Sequence, residues 1–300
     1  MTLIKKYFNK KGKIYFRNND NKDLKLIQNF YEHNPFPNYE KNDDILSIKK
    51  KGDNNPIISQ IKKKFRFNQK ILELGSGTSQ MSIYLALGTN NKIFALDGNF
   101  PSLQLAENFI TENNINNVKL INADLFDNNF EKESFDLVWS SGVLHHTKDP
   151  KKGFFKMVEY LKKDGYLILG LYNKYFRIET QIRKQLYRIF GKKILFYIDP
   201  LLKKSKFSDQ QIKAWINDQY EHPLESVHTY GEVIEWFDEK NIEIINFYPN
   251  FNDFRKFDLF QKNQNDIRNP INRSLLQLSN FFTNYSADGG LFIFIGKKNG

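Results

Sequence analysis

The chain predicts an α/β fold, a mainly parallel, seven-stranded sheet with helices on both faces. Three observations carry this. Short apolar runs alternate with segments of helical periodicity over residues 70–171, and the alternation resumes after residue 229. Such alternation is the pattern of βαβ units. The first apolar run, Ile71 to Leu74, ends in a glycine-broken turn, Gly75-Ser76-Gly77. The following runs end in polar residues, at Asp97, Asp124 and Ser140-Ser141. In sheets of this kind ligands bind beyond the carboxyl ends of the strands.

Taken in order, residues 1–25 are polar, and read either as a loose arm or as a short hairpin around Gly12. A short amphipathic helix follows to Tyr31, and Pro35 and Pro37 then force an extended path. This aromatic strap packs on the main body or lies over a ligand, with Tyr31, Asn38 or Tyr39 facing it. Residues 40–56 are charged and close on the turn signal Gly52-Asp53-Asn54-Asn55-Pro56. Arm and strap are therefore assigned to residues 1–55, and a short helix from Pro56 leads into the core.

Strands are expected at 70–74, 92–96, 118–121, 135–139 and 166–171, with helices from about 80 to 87, 101 to 113 and 150 to 161. Pro101 suits the first turn of its helix. Asp136, inside a strand, reads as structural. The core thus spans 56–171. Residues 172–225 break the rhythm and form a helical cap. Within it Ile178, Ile182, Leu186 and Ile189 share a helical face, among Arg177, Arg183, Lys184, Arg188, Lys192 and Lys193. A basic amphipathic segment at 175–198 either caps its own domain or touches a membrane surface or a partner groove. The core returns over 226–300, with a capping box at Thr229 to Glu232, a strand at 242–247 and a last strand after Gly289-Gly290. Residues 249–286 form a second excursion.

Composition bounds the functions. The absence of cysteine removes disulfides, thiolate metal sites and cysteine nucleophiles, and fits a cytoplasmic protein. No metal site is expected. No apolar run is long enough to span a bilayer, and the first residues lack the apolar core of a signal peptide. The net charge of +11 admits an acidic partner such as RNA. Yet the excess is scattered lysine, with only 8 arginines among the 45 basic residues, and reads more simply as a basic surface.

The glycine turn brings a backbone close to a ligand. A dinucleotide-binding turn would need G-x-G-x-x-G, and Gln80 occupies the third position. Glu73 stands two residues before Gly75. Together with Leu96-Asp97, Asn122-Ala123-Asp124-Leu125, the run Phe135 to His146, and Leu161 to Gly165, the stretch Glu73-Leu74-Gly75-Ser76-Gly77-Thr78 resembles the class I S-adenosylmethionine-dependent methyltransferases, with their Rossmann-like domain. The resemblance covers 65–172 well and 226–300 more loosely. It departs at Ser79, where that family often has a third glycine.

The resemblance implies S-adenosylmethionine as cofactor. Glu73, Gly75, Ser76, Gly77 and Thr78 would cradle its amino-acid part. Asp97, followed by Gly98, would take the ribose hydroxyls, and Asp124 with the N–H of Leu125 would read the adenine. Ser140 and Ser141 would line the reactive end. His145 and His146 stand at the acceptor rim, as a base or as packing. Tyr172 and Asn173 are placed to touch an acceptor or to begin the cap. The aromatic strap and insertions favour a small or lipophilic acceptor. An RNA methyltransferase, an NAD-type oxidoreductase and a non-catalytic interaction protein are the competing readings.

Overall fold

Burial of period two along the strands divides the interior into two cores, one on each face of a single sheet. The computed structural model describes residues 2–18, 21, 25, 28, 30–31, 39, 43–204, 208–250, 258–263, 267–283 and 290–300. Its strands are β1 (Asn9–Lys11), β2 (Ile14–Phe16), β3 (Lys70–Leu74), β4 (Lys92–Asp97), β5 (Val118–Asn122), β6 (Phe135–Ser141), β7 (Leu161–Tyr172), β8 (Ile242–Tyr248) and β9 (Leu291–Lys298). Before the cap run the helices α1 (Ile45–Asn54), α2 (Pro56–Lys64), α3 (Gln80–Ala86), α4 (Phe100–Glu112) and α5 (Pro150–Tyr160). The cap holds α6 (Ile178–Phe190), α7 (Leu195–Ile198), α8 (Pro200–Lys204) and α9 (Asp209–Ile216). Beyond it lie α10 (Tyr230–Glu239) and α11 (Pro270–Thr283).

The strand order is β1-β2-β5-β4-β3-β6-β7-β9-β8. All seven expected strands form, but the sheet has nine. The correction comes from the N-terminal arm, which is the hairpin alternative. Gly12, at a φ of +59°, turns it, and β2 then pairs parallel with β5. Ile14 is fully buried there, which anchors a strand too short to stand alone. From β5 through β7 the pairing is parallel, and β9 inserts antiparallel between β7 and β8.

Leu72 and Leu74 of β3 face one core, with Phe154 of α5 and Val233 of α10. Ile71 faces the other, with Ile83 of α3 and Leu103 of α4. Asp136 is structural, as its position suggested. It accepts the Lys70 N–H at 2.7 Å and pairs with Lys162 at 2.6 Å, tying the starts of β3, β6 and β7.

Residues 45–54 are helical where a turn was expected. Asp44 and Ser47 form a capping box, and Ile48 is buried. Gly52 belongs to this helix because it lies against Tyr84, whose ring a Cβ would meet at 2.2 Å. The turn falls later, at Asn55, whose side chain caps α2 with Pro56 in its first turn. At α10 only half of the capping box forms. Thr229 accepts from the Glu232 N–H, while the Glu232 carboxylate turns to His228 Nδ1 at 2.8 Å. Among the described residues no helix is long and apolar enough to cross a membrane.

Candidate functional site

The turn after β3 takes three left-handed residues, Gly75 (φ +78°), Gly77 (φ +51°) and Ser79 (φ +56°). Gly75 has a second reason to lack a side chain, since a Cβ would stand 2.3 Å from Val143 Cγ1. Ser79 takes the conformation that a glycine would take more easily. It is held by its N–H to the Ser76 carbonyl at 2.7 Å and by its hydroxyl to Ser76 Oγ at 3.0 Å. Several of the loop amides are used within the fold. Gly75 and Ser76 donate to the Leu96 carbonyl at 2.8 and 3.0 Å, and Gly77 donates to Asp97 Oδ2 at 2.7 Å. The turn is thereby fastened to the end of β4.

Asp97 accepts a second bond, from the Asn99 N–H at 2.7 Å. Two hydrogen bonds leave lone pairs on both carboxylate oxygens for hydroxyl donors. Burial raises its pKa, and the two N–H groups oppose that rise. Glu73 is buried beside it and accepts the Ser82 hydroxyl at 2.5 Å. Burial pushes its carboxyl up to about 8, against the pull of Ser82 and with a further push from Asp97. A buried and a half-buried carboxyl at one end of a cavity suit a ligand that brings cationic or hydroxyl groups. Asp124 accepts Asn21 Nδ2 at 2.7 Å and the Phe126 N–H at 3.0 Å.

These residues line one cavity of about 620 Å³. Glu73, Gly75, Ser76, Gly77, Asp97, Gly98, Asp124, Leu125 and Ser141 are on its wall, as are Tyr31, His146 and Tyr172. Other expected residues stand behind it. Thr78 is fully buried, and its carbonyl accepts the Tyr39 hydroxyl at 2.9 Å. Tyr39 stacks on Phe109 and so braces the turn from outside. Ser140 donates to the Leu74 carbonyl at 3.0 Å, joining β6 to β3. Asn173 accepts the Tyr175 N–H at 2.9 Å and starts the cap. Asn38 lies outside the described residues.

The two histidines do different things. His145 is fully buried, stacks on Tyr172 at 3.8 Å, and accepts the Tyr172 N–H on Nδ1 at 3.2 Å. Burial holds its pKa well below the usual value. His146 donates from Nδ1 to the Leu224 carbonyl at 2.7 Å and stacks on His222 at 3.6 Å. Burial lowers His146 to about 4 and His222 to about 3. All three rings are neutral at pH 7.

The cap adds wall residues that the sequence did not single out, Trp215, Asp218 and Gln219. Asp218 and Gln219 sit in a single π-helical turn, Asn217–Glu221, a geometry that recurs at functional sites. Tyr31 donates to Asp218 Oδ1 at 3.1 Å, and Gln219 Nε2 donates to Asp218 Oδ2 at 2.8 Å and to the Tyr172 hydroxyl at 3.1 Å. Arg177 lies beneath, 3.8 Å from the Tyr172 ring centroid, bidentate on Glu225 at 3.1 Å for both bonds. Only the odd placing of acids and amides in an aromatic insertion could have flagged this group. Asn99 and Asn21 were missed as ordinary polar residues.

A family model described as a methyltransferase domain matches residues 66–225. Among solved structures, PKMT2 from Rickettsia typhi, in complex with AdoHcy, is 14% identical with a TM-score of 0.53. The match covers 81% of this chain and 52% of that one. Phosphoethanolamine N-methyltransferase 2 of Haemonchus contortus, in complex with S-adenosyl-L-methionine, is 16% identical with a TM-score of 0.51. There the match covers 92% of this chain and 57% of that one. At these identities the likeness is one of fold, and this chain spans little more than half of either structure.

Glu73 makes a pH prediction. Its folded pKa lies above the unfolded value, so the folded state holds the extra proton between about pH 4.5 and 8. Its contribution is complete below that window and is lost as pH rises through it. Urea unfolding of the wild type and Glu73→Gln should diverge accordingly. The wild type loses stability relative to the variant, at up to about 1.4 kcal/mol per pH unit. A pH-independent difference would contradict the burial of this carboxyl.

Proposed function

The chain belongs to the methyltransferase-domain family, among the class I S-adenosylmethionine-dependent methyltransferases, and from that premise we propose methyl transfer to a small or lipophilic acceptor seated under the cap. One observation carries the reading. A single cavity runs from the acids Glu73 and Asp97 to the aromatic wall of Tyr31, Tyr172 and Trp215. Donor and acceptor ends are thus continuous, as an in-line displacement requires.

The residues present fit the cofactor. S-adenosylmethionine, when bound, supplies an activated methyl on a sulfonium. In this proposal Asp97 accepts the ribose hydroxyls, for which it keeps lone pairs, with Gly98 beside it. Glu73, Gly75, Ser76 and Gly77 flank the amino-acid part, and Thr78 supports the turn from behind. Asp124 and Leu125 flank the adenine. Ser141 lines the cavity toward the reactive end, and Ser140 fixes the strand that presents it.

Tyr172 and Tyr31 face the acceptor, and Asn173 and Tyr39 shape the site from outside the wall. Of the two histidines, only His146 reaches the wall and can touch an acceptor. A ring held near pKa 4 is a weak base, which favours an orienting role for it. The lack of cysteine supports a cytoplasmic location. The nucleic-acid reading rests on net charge alone.

A peripheral contact is favoured by the orientation of α6, which is inverted. Its inward face carries Arg177, Thr180 and Lys184. Ile178, Ile182 and Ile189 are exposed at 36%, 56% and 71%, next to exposed Phe190, Phe196 and Tyr197. Arg188, Lys192 and Lys193 are exposed around them. Apolar and aromatic side chains ringed by cations match an anionic lipid surface. Such a surface would also present a lipophilic acceptor.

Two experiments test these readings. Calorimetry should show binding of S-adenosylhomocysteine but not NAD, and Asp97→Ala should weaken it at least about tenfold, the loss of a charge-assisted contact. Unchanged affinity would remove the ribose assignment, and binding of NAD alone would remove the cofactor. Flotation with phosphatidylglycerol vesicles should retain the protein, weaken with salt, and be reduced about tenfold by joint replacement of Ile182 and Ile189 with serine. Equal retention on phosphatidylcholine vesicles, or a dimer that this double variant dissolves, would refute the lipid contact.

A further inference from the structure

We propose that the cap end of the cavity is a subsite for an amine, with Asp218 as the carboxylate that receives its ammonium group, so that the methyl acceptor is a nitrogen. This rests on the methyltransferase reading of the same cavity.

Asp218 is 7% exposed and lines the cavity. Its hydrogen-bond donors are neutral, the Tyr31 hydroxyl and the Gln219 amide. Among the described residues it has no ion-pair partner. Arg177 is engaged by Glu225, and that carboxylate also has Lys184 at 3.6 Å. His222 is held neutral by burial. Burial raises the pKa of Asp218, and the Gln219 bond opposes this. Arg177 reaches Asp218 only through the Gln219 amide, and a buried carboxylate without a direct ion pair is stabilised by a ligand that supplies one.

The surroundings select the kind of cation. Tyr31 bonds Asp218 directly and Tyr172 reaches it through Gln219, and Trp215 is a third aromatic on the same cavity wall. The Trp215 indole is pinned through its N–H to Asp199 at 3.0 Å, and Tyr172 is pinned between His145 and Arg177. Rigid aromatic faces beside a carboxylate are good company for an alkylammonium group. A neutral hydroxyl would satisfy the hydrogen-bonding capacity and leave the charge unanswered.

The chemistry closes. The bound ammonium gives one proton to the Asp218 carboxylate, which leaves a neutral amine with a free electron pair. That nitrogen forms a C–N bond to the methyl while the C–S bond breaks and its electron pair stays on sulfur. The products are a methylated ammonium, S-adenosylhomocysteine and the proton on Asp218, which passes to solvent. Nothing is oxidised or reduced. Tyr31 and Gln219 hold the carboxylate in place throughout.

The test uses the full chain loaded with S-adenosylhomocysteine, and calorimetry with two probes of one shape, benzylamine and benzyl alcohol. The amine is expected to bind at least about tenfold more tightly, as an ion-paired hydrogen bond does over a neutral one. Asp218→Asn should abolish that preference while S-adenosylhomocysteine affinity stays within about twofold. Asp218→Glu, which keeps the charge, should retain a preference for the amine and serves if the first variant does not fold. Equal binding of the two probes by the wild type would overturn the proposal, as would a preference that survives Asp218→Asn. Weakening of S-adenosylhomocysteine by about tenfold or more in that variant would assign Asp218 to the cofactor's own ammonium and also overturn it. Failure of the wild type to bind S-adenosylhomocysteine at all would strike the methyltransferase reading first, and this inference with it.

Discussion

Asp97 receives the Gly77 N–H on one carboxylate oxygen and the Asn99 N–H on the other, and the geometry of the glycine turn depends on that clamp. Each bond to a charged carboxylate is worth about 1.5–3 kcal/mol, enough to hold a turn of three left-handed residues. Leu96 adds its carbonyl to the same task, and Tyr39 braces the turn from the far side. The clamp sets the floor of the cavity and leaves lone pairs for a ligand. It also aligns the ends of β3 and β4, so sheet register and site geometry are one constraint.

A second knot fixes the roof. Arg177 is fully buried at the start of the cap, where it joins Glu225 and Gln219 and supports the Tyr172 ring. His145 stacks on the same ring at 3.8 Å, and Tyr172 is thereby immobilised at the end of β7. Pairing its charge makes a buried arginine tolerable. Loss of Glu225 would strand the charge, so cap placement and the Tyr172 side of the cavity stand or fall together. The exposed isoleucines of α6 follow from the same arrangement, since its polar side is the one drawn inward.

Much of the cavity end around Glu73, Gly75 and Asp97 was legible because its signals are local. Glycines at a strand end, and an acid at the end of the next strand, are adjacent in sequence to the elements that position them. The strands were legible from apolar runs whose alternate residues enter two cores. Adjacent residues on a strand were harder to separate. Ser140 and Ser141 looked alike, yet only Ser141 reaches the cavity, because neighbouring side chains point to opposite faces. Asp218, Gln219 and Trp215 were not legible, since packing of the cap, not local sequence, brings them to β7. The helix over 45–54 was missed because Gly52 reads as a turn residue until Tyr84 is seen against it.

The central claim is that one cavity holds the donor at the Asp97 end and the acceptor at the Tyr172 end. A crystal structure with S-adenosylhomocysteine tests it most directly. The account predicts both ribose hydroxyls on Asp97 and the sulfur turned toward Tyr172 and the cap. A ligand bound elsewhere, or with its sulfur facing away from the cap, would contradict it.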